Sequence, residues 1–221
     1  MAGKPYFESI AALPRTLPIF PLPGALLLPG GTLPLNIFEP RYLAMVDDAL
    51  AGSRMIGMIQ PEDETGDVGA ASTYTVGCTG RITQFSETED GRYLISLTGI
   101  ARFRIARELP RMDGGYRLIE PDYGGFGPDL HADDEVLEID RDRLFTHLRA
   151  FFASRQIDAN WDAMEEADDA SLVTALAMVC PFGTAEKQAL LEAANGSRRA
   201  ETLIALLQMG GTQDDEDAPR Q

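Results

Sequence analysis

Few side chains in this sequence could carry covalent or metal chemistry: two lysines (Lys4, Lys187), two histidines (His131, His147) and two cysteines (Cys78, Cys180). A phosphate-cradling loop of the P-loop kind needs a lysine directly behind a glycine-rich run and before Ser or Thr. Lys4 is followed by Pro5 and Lys187 by Gln188, and neither follows such a run. A Ser–Lys pair needs a buried lysine, because desolvation is what turns the amine into a base near neutral pH. Lys187 reads as part of an exposed helical turn and Lys4 as part of a loose terminus. His131 and His147 lack the i, i+4 spacing that sets two imidazoles on one metal, and both are expected to face solvent. Cys78, between Val76-Gly77 and Thr79-Gly80, reads as a packed thiol in a strand, and nothing pairs it with Cys180 in a C-x-x-C spacing. Gly124, Gly125 and Gly127 are not followed by the helix start that dinucleotide binding requires. The expectation is a non-catalytic chain with no cofactor and no metal.

Charge narrows the partners. Thirty-five acids oppose nineteen bases, for a formal net charge of -16, and fifteen of the acids fall between Glu120 and Asp169. Affinity for nucleic acid comes largely from Lys and Arg displacing phosphate counterions, so this balance disfavours it. The one local basic stretch, Arg102, Arg104, Arg107 and Arg111, alternates along a strand and reads as a solvated face without an aromatic platform. The N-terminal residues lack the apolar core of a signal peptide. The longest apolar runs, Ala25 to Leu28 and Leu203 to Leu207, are far short of the ~20 residues that span a bilayer. These features lead to the expectation of a soluble, cytoplasmic protein.

The elements around these residues divide the chain in two. Leu17-Pro-Ile-Phe-Pro-Leu22 and Leu33-Pro-Leu-Asn-Ile-Phe38 are proline-interrupted segments suited to edge strands. Pro40 then opens a helix with Tyr42, Met45, Val46 and Ala49 at i, i+3, i+4, i+7, closed at Gly52. Strands resume at 55–59, 74–84, 93–97, 100–106 and 116–119, with Glu89-Asp90-Gly91-Arg92 as a hairpin turn and a bend at Gly99. After Gly124 the period changes from 2 to 3.6. Helices are expected over 133–155, 169–180 and 184–194 and from Ser197 through Leu207, with Thr184 as a cap and Leu148, Phe151 and Phe152 facing the strands. The run Asp214-Asp-Glu-Asp217 is expected to belong to an acidic disordered tail.

Two stretches of the chain carry a family resemblance. Leu17-Pro-Ile-Phe-Pro-Leu-Pro23, then Leu28-Pro-Gly-Gly-Thr-Leu-Pro-Leu-Asn-Ile-Phe-Glu-Pro-Arg-Tyr42, resembles the opening of the N-terminal substrate-binding domain of Lon proteases. Cys180-Pro-Phe-Gly-Thr-Ala-Glu-Lys-Gln-Ala-Leu-Leu-Glu192 resembles a second landmark of the small bacterial proteins built from that domain alone. The resemblance implies an α+β fold. A PUA-like β-barrel with one inserted helix would occupy residues 12–123, an α-helical bundle 124–209 and the tail 210–221. It also implies that the partner is unfolded or extended polypeptide, or a protease or chaperone component, in protein quality control. PUA-like barrels also bind RNA, which is the competing reading.

A polypeptide-binding module works through exposed apolar surface rimmed by polar groups. Leu26, Leu27 and Leu28, between Pro23 and Pro29, are the first candidates for that surface, with burial in the core as the alternative. Phe38, Glu39, Arg41 and Tyr42 form the other conspicuous motif. Its expected role is structural: Phe38 and Tyr42 anchor the helix while Arg41 pairs with a nearby acid.

Overall fold

Residues 7–62 and 71–216 are described by the computed structural model. The first half folds into β1 (Leu17–Pro21), β2 (Thr32–Ile37), α1 (Pro40–Ala51), β3 (Met55–Ile59), β4 (Val76–Glu87), β5 (Tyr93–Leu109) and β6 (Arg117–Asp122). A 3-10 segment, Gly127–Asp134, leads to α2 (Arg141–Ser154), α3 (Trp161–Glu166), α4 (Asp169–Val179), α5 (Thr184–Glu192) and α6 (Gly196–Glu216). Lys4 and residues 217–221 of the expected tail lie outside the described residues.

The strands form one mixed sheet in the order β2-β5-β4-β3-β1-β6, with a further pairing of β5 with β6. β1 runs parallel to β3 and antiparallel to β6. Two segments expected as separate strands around Gly99 are one strand, β5, which pairs with β2 through its first half and with β6 through its second. Opposite β4 the register passes from Thr79–Ala101 to Gly80–Gly99, so Ile100 is the extra residue of a bulge that turns the strand. Gly99 must be glycine here: a Cβ would stand 2.0 Å from the Leu28 carbonyl oxygen. Gly77 has a different reason, since a Cβ there would lie 2.5 Å from the Phe103 ring.

Apolar side chains collect in two clusters. Leu17, Ile19, Met55, Ile59, Ala101, Phe103 and Ile119 pack together with Leu13, Ile100 and Tyr123. The larger cluster joins the sheet to the helices. It holds the Tyr42, Met45, Val46 and Ala49 face of α1, Leu144, Leu148, Phe151 and Phe152 of α2, and leucines of α4, α5 and α6. Within the helical part α6 packs on α2, α4 and α5. Part of the acidic surplus caps helices: Asp140 accepts from the Arg143 N–H at 2.9 Å and Asp168 from the Ser171 N–H at 2.9 Å.

Polar contacts also bind the halves. Arg102, only 5% exposed, lies on the helix-facing side of β5. Its Nε and Nη2 donate to Asp129 at 2.8 and 2.7 Å, and its Nη1 donates to the Leu191 and Ala193 carbonyls at 3.1 and 2.6 Å. Gln60 donates to the Thr184 carbonyl at 3.1 Å, and Gln188 to the Val76 carbonyl at 3.1 Å. The Leu191 and Ala193 carbonyls lie at the C-terminal end of α5, where no further turn supplies N–H donors.

Several expectations change. Residues 135–140 are not helical; α2 begins only at Arg141, after the 3-10 segment, because Asp129 is drawn to Arg102 and Asp140 serves as the cap. α3 was not foreseen, being too short to show a period. α6 continues past Gly210 to Glu216, through residues assigned to a disordered tail. Arg102 is not on a solvated face.

Candidate functional site

Lys187 and both cysteines are spent on structure. Lys187 is buried, not exposed as its helical position suggested: the turn of α5 that carries it faces the loop after β1. Its Nζ donates to the Gly24 carbonyl at 2.6 Å and approaches the Met178 carbonyl at 3.5 Å. Burial lowers its pKa, but its partners are backbone carbonyls and not a serine hydroxyl. Cys78 is fully buried in β4, and burial, aided by the Asp129 charge, pushes its thiol far up. Burial also pushes the Cys180 thiol up to about 12. Since the thiolate is the reactive form, alkylation of either cysteine at pH 8 should be slower in the folded protein than in the urea-unfolded chain by about tenfold or more. Mass spectrometry of iodoacetamide adducts reads this directly, and rapid labelling of native Cys78 would contradict the packing. His131 is exposed on the 3-10 segment and His147 half-buried on α2. Among the described residues no three His, Cys, Asp or Glu come together as a metal site.

The three leucines are not the binding surface. Leu26, Leu27 and Leu28 are 2%, 1% and 0% exposed. Their loop is tied across β5, with the Gly30 N–H donating to the Gly99 carbonyl at 3.0 Å and the Gly99 N–H to the Gly31 carbonyl at 2.8 Å. That docking turns the side chains into the larger core. In the other motif Tyr42 is buried, its ring centroid 4.2 Å from that of Phe20, and Arg41 pairs with Glu39 at 2.8 Å. Phe38 departs from its expected anchoring role. It is 63% exposed, just past the end of β2 and outside the face that α1 buries.

Exposed apolar surface instead gathers where β2 and β4 end and β5 begins. A cavity of about 430 Å³ lies there, lined by Pro34, Leu35, Asn36, Gln84, Phe85, Leu94 and their neighbours. Phe85 and Leu94 are each nearly half exposed. In the register Phe85 stands opposite Ile95, and Leu94 opposite Ser86 and Asn36, so the two point to opposite faces of the hairpin. Phe85 is steadied edge-on by Tyr93, with centroids 5.0 Å apart. β2 ends the sheet order and, among the described residues, pairs with β5 alone, which leaves its outer backbone edge between Thr32 and Ile37 without a strand partner among them.

Sequence reasoning passed over Phe85 because a second register shift, between Ile82 and Gln84, breaks the alternation there. Leu94 did leave a signal. It is a lone apolar residue on a strand face whose paired neighbours are Asn36 and Ser86.

The model of the ATP-dependent protease La (LON) substrate-binding domain matches residues 16–209. A Lon protease of Anaeromyxobacter dehalogenans is 34% identical over 122 residues, 53% of this chain but 14% of that protein. One from Elusimicrobium minutum is 26% identical over 219 residues, 93% of this chain and 25% of that protein. The chain thus spans a quarter or less of these curated relatives' length. Among solved structures, a Lon N-terminal domain protein from Xanthomonas campestris superposes with a TM-score of 0.59 at 26% identity, covering 86% of this chain and 97% of that one. The N-terminal domain of a Mycobacterium avium complex Lon protease shares the fold, with a TM-score of 0.59 at 17% identity. With a match across nearly its whole described length, the chain belongs to the LON substrate-binding domain family.

Proposed function

We propose that this chain is a non-catalytic module that binds unfolded or extended polypeptide and acts as an adaptor in cytoplasmic protein quality control. Membership of the LON substrate-binding domain family carries this reading. The pairing of β5 with β6 as well as with β4 supports a PUA-like barrel for the sheet, and the packing of α6 on α2, α4 and α5 supports a bundle for the helices. The surface assigned to the polypeptide wraps the β4–β5 hairpin end, with Leu94 on one face and Phe85 on the other, beside Phe38 and the unpaired edge of β2. An extended segment can add its backbone to such an edge while apolar side chains seat against the exposed rings.

The test is titration of a permanently unfolded model protein against the wild type and a Phe85→Ser/Leu94→Ser double variant. A fully exposed apolar side chain that the ligand covers contributes about 1.5–3 kcal/mol; Phe85 and Leu94 are already half covered and add about half of that each, so the double variant should bind about tenfold more weakly or worse. Raising the salt should weaken wild-type binding only modestly, because it screens exposed charges and leaves apolar contacts in place. Undiminished binding by the variant, or binding only of RNA, would refute the assignment.

A further inference from the structure

A second cavity, of about 400 Å³, lies where the 3-10 segment meets the start of α6, and it is lined by Arg102, Asp129, His131, Glu135, Asn195 and Arg199 among others. Most of these polar groups are already committed. Arg102 and Asp129 form the buried bidentate pair, 2.7 Å at its shortest. Glu135 accepts from the Gly196 N–H at 2.9 Å, and Asn195 accepts from the Arg198 N–H at 2.9 Å, so the first turn of α6 is capped.

Arg199 is the exception. The residue is 6% exposed, and its one hydrogen bond runs from Nε to the Leu190 carbonyl at 3.0 Å. Both Nη groups are left without a hydrogen-bond or ion-pair partner among the described residues. Burial first, and then the like charge of Arg102, hold its guanidinium below the ordinary arginine range, with Asp129 and Glu135 opposing. Neither Nη is fully buried, so the free edge of this guanidinium opens on the cavity with donors to spare, where a partner anion would satisfy them.

We propose that this cavity is a binding site for a carboxylate, taken by the free guanidinium edge of Arg199. Three features select the ligand. The planar fork of a guanidinium matches the two oxygens of a carboxylate. Asp129 and Glu135 in the same wall oppose a second negative charge, which makes a dianion such as phosphate a poor fit, and the net charge of -16 opposes polyanions at longer range. The volume lies in the range of small-ligand sites and admits an amino-acid-sized acid. The site is separate from the hairpin surface assigned to polypeptide and does not depend on it.

Calorimetric titration of the full chain tests this with four probes: N-acetyl-leucine, its amide N-acetyl-leucinamide, the α-amide of N-acetylglutamic acid, and inorganic phosphate. The expected result is binding of at least one carboxylate probe with tenfold or greater preference over the neutral amide, and loss of that binding in Arg199→Met. Preference for N-acetyl-leucine over the glutamic amide assigns the source as a chain-terminal carboxylate, and the reverse assigns a side chain; both support the site. Should Arg199→Met fail to fold, a shift of the arginine Nε–H NMR signals of the wild type on adding N-acetyl-leucine, and not its amide, reads the same contact. Equal affinity for acid and amide, tighter binding of phosphate, no binding at millimolar concentration, or undiminished binding by a folded Arg199→Met would overturn the proposal. Single blocked amino acids are too short to report on the hairpin surface, so neither outcome bears on polypeptide binding.

Discussion

Asp129→Ala should destabilise the protein by about 3–5 kcal/mol, the usual cost of removing one partner from a buried ion pair. The carboxylate accepts from the Arg102 backbone N–H at 2.9 Å as well as from its guanidinium, so its loss orphans three donors at once. It also leaves two buried guanidinium groups, Arg102 and Arg199, lining one cavity with less negative charge between them. Asp129→Asn keeps an acceptor and the shape, and should lose less. Urea denaturation of the two variants measures the difference. A midpoint for Asp129→Ala within experimental error of the wild type would mean that Arg102 finds water in place of its partner.

Phe151→Ala should cost a similar about 3–5 kcal/mol, from lost transfer free energy and from the cavity left behind. Phe151 is 1% exposed and is enclosed from three directions. Its ring lies 5.5 Å from that of Phe182, the Arg155 guanidinium stacks 3.9 Å from its centroid, and α6 passes so close that a Cβ on Gly210 would come within 2.6 Å of it. Such a site cannot collapse easily, which puts it at the upper end of the range. Because one apolar cluster spans strands and helices, far-UV dichroism and near-UV signals from both halves should shift together in denaturant. A loss confined to the helical signal would separate the halves.

How much of this was legible in the sequence depends on how local each cause is. The buried face of α1 followed from its spacing alone, and the hairpin at Gly91, where φ is +78°, followed from its turn residues. β5 was harder. Phe103 and Ile105 alternate with Arg102 and Arg104, which is the pattern of a strand with one wet face. Arg104 does stand exposed over the Phe126 ring, but Arg102 meets Asp129 and the end of α5, and no periodicity reports a partner 27 residues away. The Leu26–Leu28 loop failed for a related reason. A proline-bounded apolar run looks the same whether it lies open or is fastened over a glycine, and the fastening to Gly99 is made through the backbone. Family membership was legible because the two landmark segments are long and ordered. The apolar hairpin end was not, because a bulge shifts Phe85 out of register.

The placement of β1 sets a timetable for the chain. It is the first strand to be made, yet its antiparallel neighbour β6 begins at Arg117, and the Lys187 that holds the loop behind it comes later still. β3 can pair with β1, and β4 with β5 through the turn at Gly91, as soon as each exists, while the other edge of β1 waits for Arg117 to Ile119, about a hundred positions downstream. Pairings this far apart must close long loops before they return any stabilisation, which places folding at the slow end of the range for a domain of this size. Until Gln188 arrives, the Val76 carbonyl has no donor from the helical half. A nascent chain paused before β6 therefore holds β1 paired on one side only, through β3, with its other edge still open.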